Sequence, residues 1–337
     1  MIELKGRRIV LIGGAGFIGH NLALALKAAH AEVSIVDSLQ VNNLLAFADS
    51  AGEQLENQEL YFRIVNERLQ LLREAGIPLY IQDARDYNAL TKLLVKLEPQ
   101  VIVQLAAVAH AGRSNKDPYS TFDHSLRTLE NALDNARSPG VDHFIYFSSS
   151  MVYGDFDGAA VDESSPCEPL GIYGALKFAG EKMVIAYNQV FDLPYTIVRP
   201  SALYGERCVS RRVGQIFIEN ALDGGEVTIH GDGSEQLDFT YINDLIDGIT
   251  RIIANEQSHN EIFNLTYGAS QSVGDMANLL CEEFPDVTIT YHDRDRLMPR
   301  RGTLKIDKAR ELLGYEPSWP LESGFPEYIR WYKEFVS

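Results

Sequence analysis

A short strand that runs directly into a glycine-rich turn is the feature that most constrains how this chain folds. The predicted strand Arg8 to Ile12 is followed by the turn Gly13-Gly14-Ala15-Gly16-Phe17-Ile18-Gly19 and then by a small, apolar helical stretch. Glycines at this spacing let the backbone turn tightly and approach a pyrophosphate at a helix N-terminus. Ordinary turns can carry the same spacing, so the context has to decide.

An acidic residue at the end of the next predicted strand supplies that context. The strand Glu32 to Val36 ends at Asp37. Dinucleotide-binding turns place an acid about 20 residues after the glycines, where it hydrogen-bonds the adenosine ribose hydroxyls. A carboxylate there also repels a 2′-phosphate. The sequence therefore predicts NAD rather than NADP as cofactor.

The first half of the chain alternates short β-branched runs with amphipathic helical stretches. This alternation is typical of a parallel sheet covered by helices on both faces, an α/β fold of the Rossmann-type, doubly wound class. The longer connection between Asn42 and Ile77 predicts an inserted helix near Tyr61 to Ala75. The predicted strands after the first two are Pro78 to Gln82, Val101 to Leu105, His143 to Ser148, Thr196 to Arg199 and Glu261 to Leu265.

The later segments predict a second, smaller part of the molecule. The last two strands, with the helix Asn243 to Ala254 between them, are expected to return to the main sheet. We therefore predict an NAD-binding Rossmann domain over residues 1–204 plus 238–265. Residues 205–237 plus 266–337 mix short strands and helices with Pro and Gly, and we predict a smaller C-terminal substrate-binding lobe there.

Composition excludes several classes of protein. A formal net charge of −17 disfavours nucleic acid and anionic membranes as partners. No segment approaches the roughly 18 apolar residues of a membrane helix. The three cysteines Cys167, Cys208 and Cys281 and the eight histidines show no metal-ligand spacing, so no metal is predicted. We expect a cytoplasmic protein with reduced thiols.

A tyrosine and a lysine one helical turn apart are the candidate catalytic pair. Tyr173 and Lys177 open a predicted helix about twenty residues after the run Ser148-Ser149-Ser150-Met151-Val152-Tyr153-Gly154. At this spacing the ammonium can stabilise a phenolate and make Tyr173 a base near neutral pH. An isolated pair of this kind more often packs structurally, but here it accompanies the serine run and the glycine turn.

Taken together, these motifs resemble the extended short-chain dehydrogenases/reductases of the NAD-dependent epimerase/dehydratase family, over essentially the whole chain. Besides the segments above, the resemblance rests on five further stretches. They are Asp83-Ala84-Arg85, Leu105-Ala106-Ala107, Arg199-Pro200-Ser201-Ala202-Leu203-Tyr204-Gly205, Gly231-Asp232-Gly233 with Asp238-Phe239, and Leu313-Gly314-Tyr315-Glu316-Pro317.

The resemblance implies a role for each matching position. Asp83 and Ala84 would border the adenine, Leu105, Ala106 and Ala107 the nicotinamide, and Lys177 would also hold the nicotinamide ribose. Ser149 would hydrogen-bond the reacting sugar hydroxyl, and Tyr173 would take its proton as a keto-sugar forms. Further cofactor contacts are expected from Gly13, Gly16, Phe17, Ile18, Gly19 and Asp37, and substrate contacts from His110, Ser150, Met151, Ser201, Arg207, Arg212 and Arg300.

The resemblance favours epimerisation of a nucleotide-sugar, an isomerase reaction of carbohydrate biosynthesis. Family dehydratases carry acids directly after the catalytic Ser or Thr, where this chain has Ser150 and Met151. A dehydratase, a decarboxylase and a 4-ketosugar reductase remain alternatives. An oxidoreductase acting on a small non-nucleotide alcohol and a non-catalytic NAD-binding scaffold are less favoured. Relatives dimerise through helices matching Thr121 to Ala136 and Gly171 to Gln189, which implies a homodimer.

Three positions depart from the family's substrate-binding pattern. His124 and Ala202 replace residues that are usually Asn, and Leu237 replaces an Arg that usually binds the diphosphate. The diphosphate must therefore find other cations. Two groups of arginines are candidates within the acidic chain, and they are Arg207, Arg211 and Arg212, and Arg294, Arg296, Arg300 and Arg301.

Overall fold

A computed structural model describes residues 2–48, 57–108, 111–156, 158, 160–294 and 298–337. Its strands are β1 (Arg8–Ile12), β2 (Glu32–Asp37), β3 (Leu79–Ile81), β4 (Val101–Gln104), β5 (His143–Phe147), β6 (Tyr195–Arg199), β7 (Leu203–Tyr204), β8 (Val227–His230), β9 (Gln236–Leu237), β10 (Thr240–Tyr241), β11 (Glu261–Asn264), β12 (Gln271–Ser272) and β13 (Ile289–His292).

The α-helices are α1 (Phe17–Ala28), α2 (Leu44–Ala48), α3 (Gln58–Glu74), α4 (Tyr87–Leu97), α5 (Ala111–Lys116), α6 (Pro118–Phe122), α7 (Thr128–Ala136), α8 (Gly171–Phe191), α9 (Val213–Leu222), α10 (Ile242–Ile253), α11 (Val273–Glu283), α12 (Asp307–Leu313) and α13 (Leu321–Val336). A π-helical turn covers Asp123–Arg127, and two 3₁₀ turns cover Ser150–Val152 and Glu256–Ser258.

Seven parallel strands form the central sheet in the order β11-β6-β5-β4-β1-β2-β3. All seven predicted strands are present, with ends within a residue or two of the prediction, and the Rossmann-type class is confirmed. The order reverses between β1 and β4, so the connections that leave the carboxyl ends of these two strands diverge and open a crevice. Ligands of open α/β sheets bind at such a switch point.

Alternate residues of a strand pack into two separate hydrophobic clusters, one on each face of the sheet. From β1, Ile9 and Leu11 pack into a cluster with α1 and α10, whereas Val10 and Ile12 pack into a cluster with α4, α7 and α8. Because both faces are covered, β1 is apolar at every position after Arg8 rather than alternating.

The inserted helix is α3, and it fastens the sheet domain to the second lobe. Tyr61 of α3 packs with Phe47 and against Trp331 of α13. The Tyr61 hydroxyl donates to the buried Glu219 carboxylate of α9 at 2.7 Å, and Tyr332 of α13 donates to the same group at 2.7 Å. The insertion is therefore part of the packing between the two halves.

The second lobe contains the pairs β8 with β13 and β9 with β12. Its Phe325 belongs to the same hydrophobic cluster as Ile9 of the sheet, so the core is continuous between the halves. We propose that the two parts divide into residues 1–204 plus 238–265 and residues 205–237 plus 266–337. In the described part of the chain, no helix is both long and apolar enough to cross a membrane.

Candidate active site

A cavity of about 1470 Å³ lies at the carboxyl ends of the central strands and extends under the second lobe. Every predicted cofactor-binding position lines it, from the glycine turn through Asp37, Asp83 and Ala84 to Leu105, Ala106 and Ala107. One end of the cavity therefore belongs to the glycine turn. Tyr173 and Lys177 line it as well.

The glycine turn brings the backbone closer to its neighbours than a side chain would allow. Gly13 has a φ of +81°, and a Cβ on it would lie 2.5 Å from the amide nitrogen of Ala106. A Cβ on Gly19 would lie 2.5 Å from Gly14. The turn leads into α1, a 12-residue helix whose N-cap is Gly16. The free N–H groups of that helix end suit a pyrophosphate.

Asp37 ends β2 with its carboxylate held by the backbone. The amides of Ala15 and Leu39 donate to it at 3.0 Å and 2.8 Å. Burial raises the pKa of Asp37, whereas these two hydrogen bonds lower it. The carboxylate is thus fixed at the cavity edge, where a ribose diol fits and a 2′-phosphate does not. These residues fit an NAD molecule.

The three predicted catalytic side chains line the same cavity as the glycine turn. Tyr173 and Lys177 lie on the first turns of α8, and Ser149 follows β5. The Ser149 hydroxyl accepts from the amide of Met151 at 3.2 Å and is near enough to Tyr173 to lower the pKa of its hydroxyl. The Lys177 ammonium donates to the carbonyl of Phe147 at 2.6 Å and lies 6.0 Å from the centre of the Tyr173 ring.

The electrostatics of Tyr173 differ from the expectation. Burial raises its pKa, and the charge of Arg212 and the nearby hydroxyl of Ser149 oppose that rise. The helical spacing predicts that the Lys177 ammonium makes Tyr173 a base near neutral pH, but Lys177 is not among the groups that lower this pKa. Lys177 is itself buried, and desolvation outweighs the attraction of Glu181, lowering the lysine's pKa to about 8.

A buried ion pair between Arg199 and Glu181 lies next to this site. The sequence motifs did not predict it. Arg199 donates to Glu181 from Nη2 at 2.7 Å and from Nε at 2.9 Å. Ser148 donates to the same carboxylate at 2.5 Å, and Arg199 Nη1 donates to the Tyr153 hydroxyl at 2.9 Å. The available signal was that Glu181 lies one helical turn beyond Lys177.

The predicted substrate-binding arginines divide into two groups. Arg212 and Arg300 line the cavity, but Arg207 does not. The Arg207 guanidinium instead donates to His20 at 3.1 Å and lies 3.5 Å from Glu67. The structure therefore places Arg207 away from the expected substrate contacts, because α3 and α1 supply its partners.

Arg301, one of the arginines considered as a cation for the diphosphate, also lines the cavity. Its Nε and that of Arg212 are buried and find no hydrogen-bond partner among the described residues. Burial, together with the charges of Arg212 and Arg294, lowers the pKa of Arg301 to about 10. Arg294 is paired with Glu235. Two charged, unsatisfied donors facing one cavity form a site for an anion.

The remaining predicted positions are placed as follows. Ser150, Met151 and Ser201 line the cavity, and the Ser150 hydroxyl donates to that of Ser201 at 3.2 Å. His124 also lines it, from a π-helical turn that interrupts the single helix predicted over Thr121 to Ala136. Ala202 lies there with a φ of +35°. His110 and Arg296 lie outside the described residues.

Comparison with known proteins agrees with this geometry. A UDP-glucose epimerase of Bacillus subtilis, itself uncharacterised, is 29% identical over 332 residues, 96% of either chain. A dTDP-glucose 4,6-dehydratase of Streptomyces antibioticus is 27% identical over 333 residues, 97% of this chain and 92% of its own. The crystal structure of UDP-glucuronic acid 4-epimerase from Bacillus cereus, with UDP-glucuronic acid and NAD, superposes with a TM-score of 0.86 at 26% identity, covering 97% and 99% of the two chains.

A family model described as the NAD dependent epimerase/dehydratase family matches residues 9–266. The matched span covers most of the chain and contains the glycine turn, Asp37, Ser149, Tyr173 and Lys177. The protein is therefore an NAD-dependent enzyme of the NAD dependent epimerase/dehydratase family.

Proposed function

We propose that this protein is a nucleotide-sugar 4-epimerase that works through a transient keto-sugar. The observation that carries the proposal is that Ser149, Tyr173 and Lys177 line the cofactor cavity together, with no acid at the two positions after Ser149. Ser150 is bonded to Ser201, and Met151 is buried and apolar. Neither can exchange the proton that eliminating water requires.

The other carboxylates that line the cavity are held in hydrogen bonds or ion pairs. The argument therefore extends beyond Ser150 and Met151. Among the described lining residues, each acid has a partner of its own. Asp83 is paired with Arg85, Asp155 with the Arg300 amide, Asp232 with Ser234, and Glu235 with Arg294. With Asp37 held by the backbone, no cavity carboxylate among the described residues is without a partner, and we assign proton transfer at the sugar to Tyr173.

In the proposed cycle, Ser149 aligns the 4-hydroxyl of the sugar and Tyr173 removes its proton. NAD, held by the glycine turn, Asp37 and Lys177, would supply the hydride acceptor and donor for the sugar. Tyr173 then gives the proton back. Lys177 would hold the nicotinamide ribose, and Arg212 supplies the positive charge that lowers the pKa of Tyr173.

The diphosphate of the substrate would be held by Arg212, Arg301 and Arg300. These cations take the place of the arginine that the family usually has at the position of Leu237, whose apolar side chain lines the cavity here. Changing Arg301 to Gln should raise KM for a nucleotide sugar about tenfold or more, since charge-assisted hydrogen bonds contribute about 1.5–3 kcal/mol. Arg310→Gln is the matched control, because Arg310 is exposed on α12.

The proposal is tested by incubating the purified protein with UDP-glucose, UDP-glucuronic acid and related nucleotide sugars without added reductant. Product stereochemistry is followed by NMR and the cofactor by absorbance. A C4 epimer without net NADH supports the proposal. Loss of water points to the dehydratase and loss of CO₂ to the decarboxylase, while stoichiometric redox change points to the ketosugar reductase. No turnover across the panel favours a scaffold.

We further propose that the protein acts as a homodimer in the cytoplasm, in carbohydrate biosynthesis. Ala179, Met183, Ala186 and Val190 lie on one face of α8, and Val190 is 69% exposed. Such an apolar stripe on a long helix suits a second copy of the same helix. Val190→Glu should produce a monomer by light scattering, whereas Gln189→Glu should not. The proposed cytoplasmic location is supported by the three cysteines, whose thiols are all free, as expected in a reducing compartment.

A further inference from the structure

Arg68, in the inserted helix α3, has a buried charge whose function the proposed reaction leaves open. The side chain is only 1% exposed, yet it lines the cavity. Its Nη1 finds no hydrogen-bond partner among the described residues. A buried guanidinium with a free donor at a ligand cavity is costly unless a ligand accepts that hydrogen bond.

The rest of the guanidinium is held rigidly. Nε donates to the carbonyl of Arg207 at 2.8 Å, and Nη2 donates to the same oxygen. Burial lowers the pKa of Arg68 to about 10, so the group stays charged at neutral pH. Two of its three nitrogens are thus used to fix the orientation of the third.

The neighbours of Arg68 place it at the adenosine end of the cavity. Arg207, whose carbonyl accepts from Arg68, donates its side chain to His20 in the first turns of α1 at 3.1 Å. The charge of Arg68 also lowers the pKa of Asp37, which ends β2. These are the two elements between which the adenosine ribose and the pyrophosphate lie in a dinucleotide fold. Asp37 already suits the ribose hydroxyls. A cation beside it suits the phosphate that follows the ribose.

We propose that Arg68 binds the adenosine-side phosphate of NAD through Nη1. The residue is supplied by an insertion that the βαβ core does not need, and the glycine turn alone does not predict it. Binding would satisfy the free donor and join the cofactor to the segment at Arg207, which leads to Arg212. This proposal concerns cofactor binding and does not depend on which sugar reaction follows.

The test compares Arg68→Gln and Arg68→Lys with the unchanged chain, using protein freed of nucleotide. Arg73→Gln is the control, because Arg73 is exposed on the same helix. Dissociation constants are measured by calorimetry for NAD, for AMP and for adenosine. Arg68→Gln should weaken binding of NAD and AMP about tenfold or more and leave adenosine unchanged. Arg73→Gln should change none of them.

The same measurements can overturn the proposal. Unchanged NAD affinity in Arg68→Gln, with a lower melting temperature, would make Arg68 a structural clamp for the Arg207 segment alone. If Arg68→Gln weakened the binding of adenosine as much as that of AMP, the phosphate could not be the group that Arg68 binds. If Arg68→Gln does not fold, Arg68→Lys carries the test, because it keeps a charge but loses the fixed fork. In that variant, NAD and AMP affinities equal to those of the unchanged chain contradict the proposal.

Discussion

Changing Glu181 to Gln should leave the Arg199 guanidinium buried without its counter-charge. The two side chains, Arg199 and Glu181, are 3% and 1% exposed, and they are joined by hydrogen bonds of 2.7 Å and 2.9 Å. Removing one partner of a buried pair costs about 3–5 kcal/mol, because the other charge cannot regain its hydration. Glu181→Gln should therefore lower the free energy of unfolding by that amount.

Urea unfolding, followed by circular dichroism, measures the effect. The control is Glu130→Gln, which removes an exposed pair with Arg127 at 2.8 Å and should cost at most about 0.5 kcal/mol. Replacing both Glu181 and Arg199 by Met should be less damaging than Glu181→Gln, since no unpaired charge remains. A loss below about 1 kcal/mol in Glu181→Gln would show that the pair behaves as a solvated surface pair and not as a desolvated one.

Three further predictions concern the active site. Tyr173→Phe should abolish turnover while NAD binding, measured by calorimetry, is retained; residual turnover above a few per cent would contradict its role in proton transfer. Lys177 is charged below its lowered pKa of about 8, so activity should fall as pH rises through that value, and this alkaline limb should move upward in Lys177→Arg. A pH profile that is unchanged in Lys177→Arg would show that the alkaline loss of activity does not depend on Lys177. Asp37→Ser should weaken NAD binding and strengthen NADP binding, because the carboxylate that repels a 2′-phosphate is gone; unchanged discrimination between the two cofactors would argue against that role.

Local patterns predicted the cofactor half of the molecule well. The strand, the glycine turn and Asp37 lie close together in sequence, and each has a conformational requirement that few residue types meet. The seven strands of the sheet could be recognised because both of its faces are covered, which makes most of them rich in apolar and β-branched residues. The inserted helix was also predicted, but its connection to the second lobe was not.

The substrate half could not be predicted as closely, because its contacts join distant segments. Arg207 and Arg212 are five positions apart in one loop, yet one is bonded to His20 and the other faces the cavity. Nothing in the local sequence distinguishes them. Arg68 becomes notable only when its burial and its unsatisfied donor are known, and the same information distinguishes Arg301 from the other candidate arginines. The raised pKa of Tyr173 likewise follows from burial, which a helical spacing does not reveal.

In the proposed reaction, hydride leaves the sugar and returns to the same carbon within one active site. This step can be followed with a mixture of unlabelled nucleotide sugar and the same compound deuterated at C4, with both epimers analysed by mass spectrometry and NMR. We expect the label to stay at C4 in the epimer, with no loss to solvent and no accumulation of NADH. Loss of the label, or its appearance in released NADH with loss of water or CO₂ from the sugar, would contradict the proposed reaction.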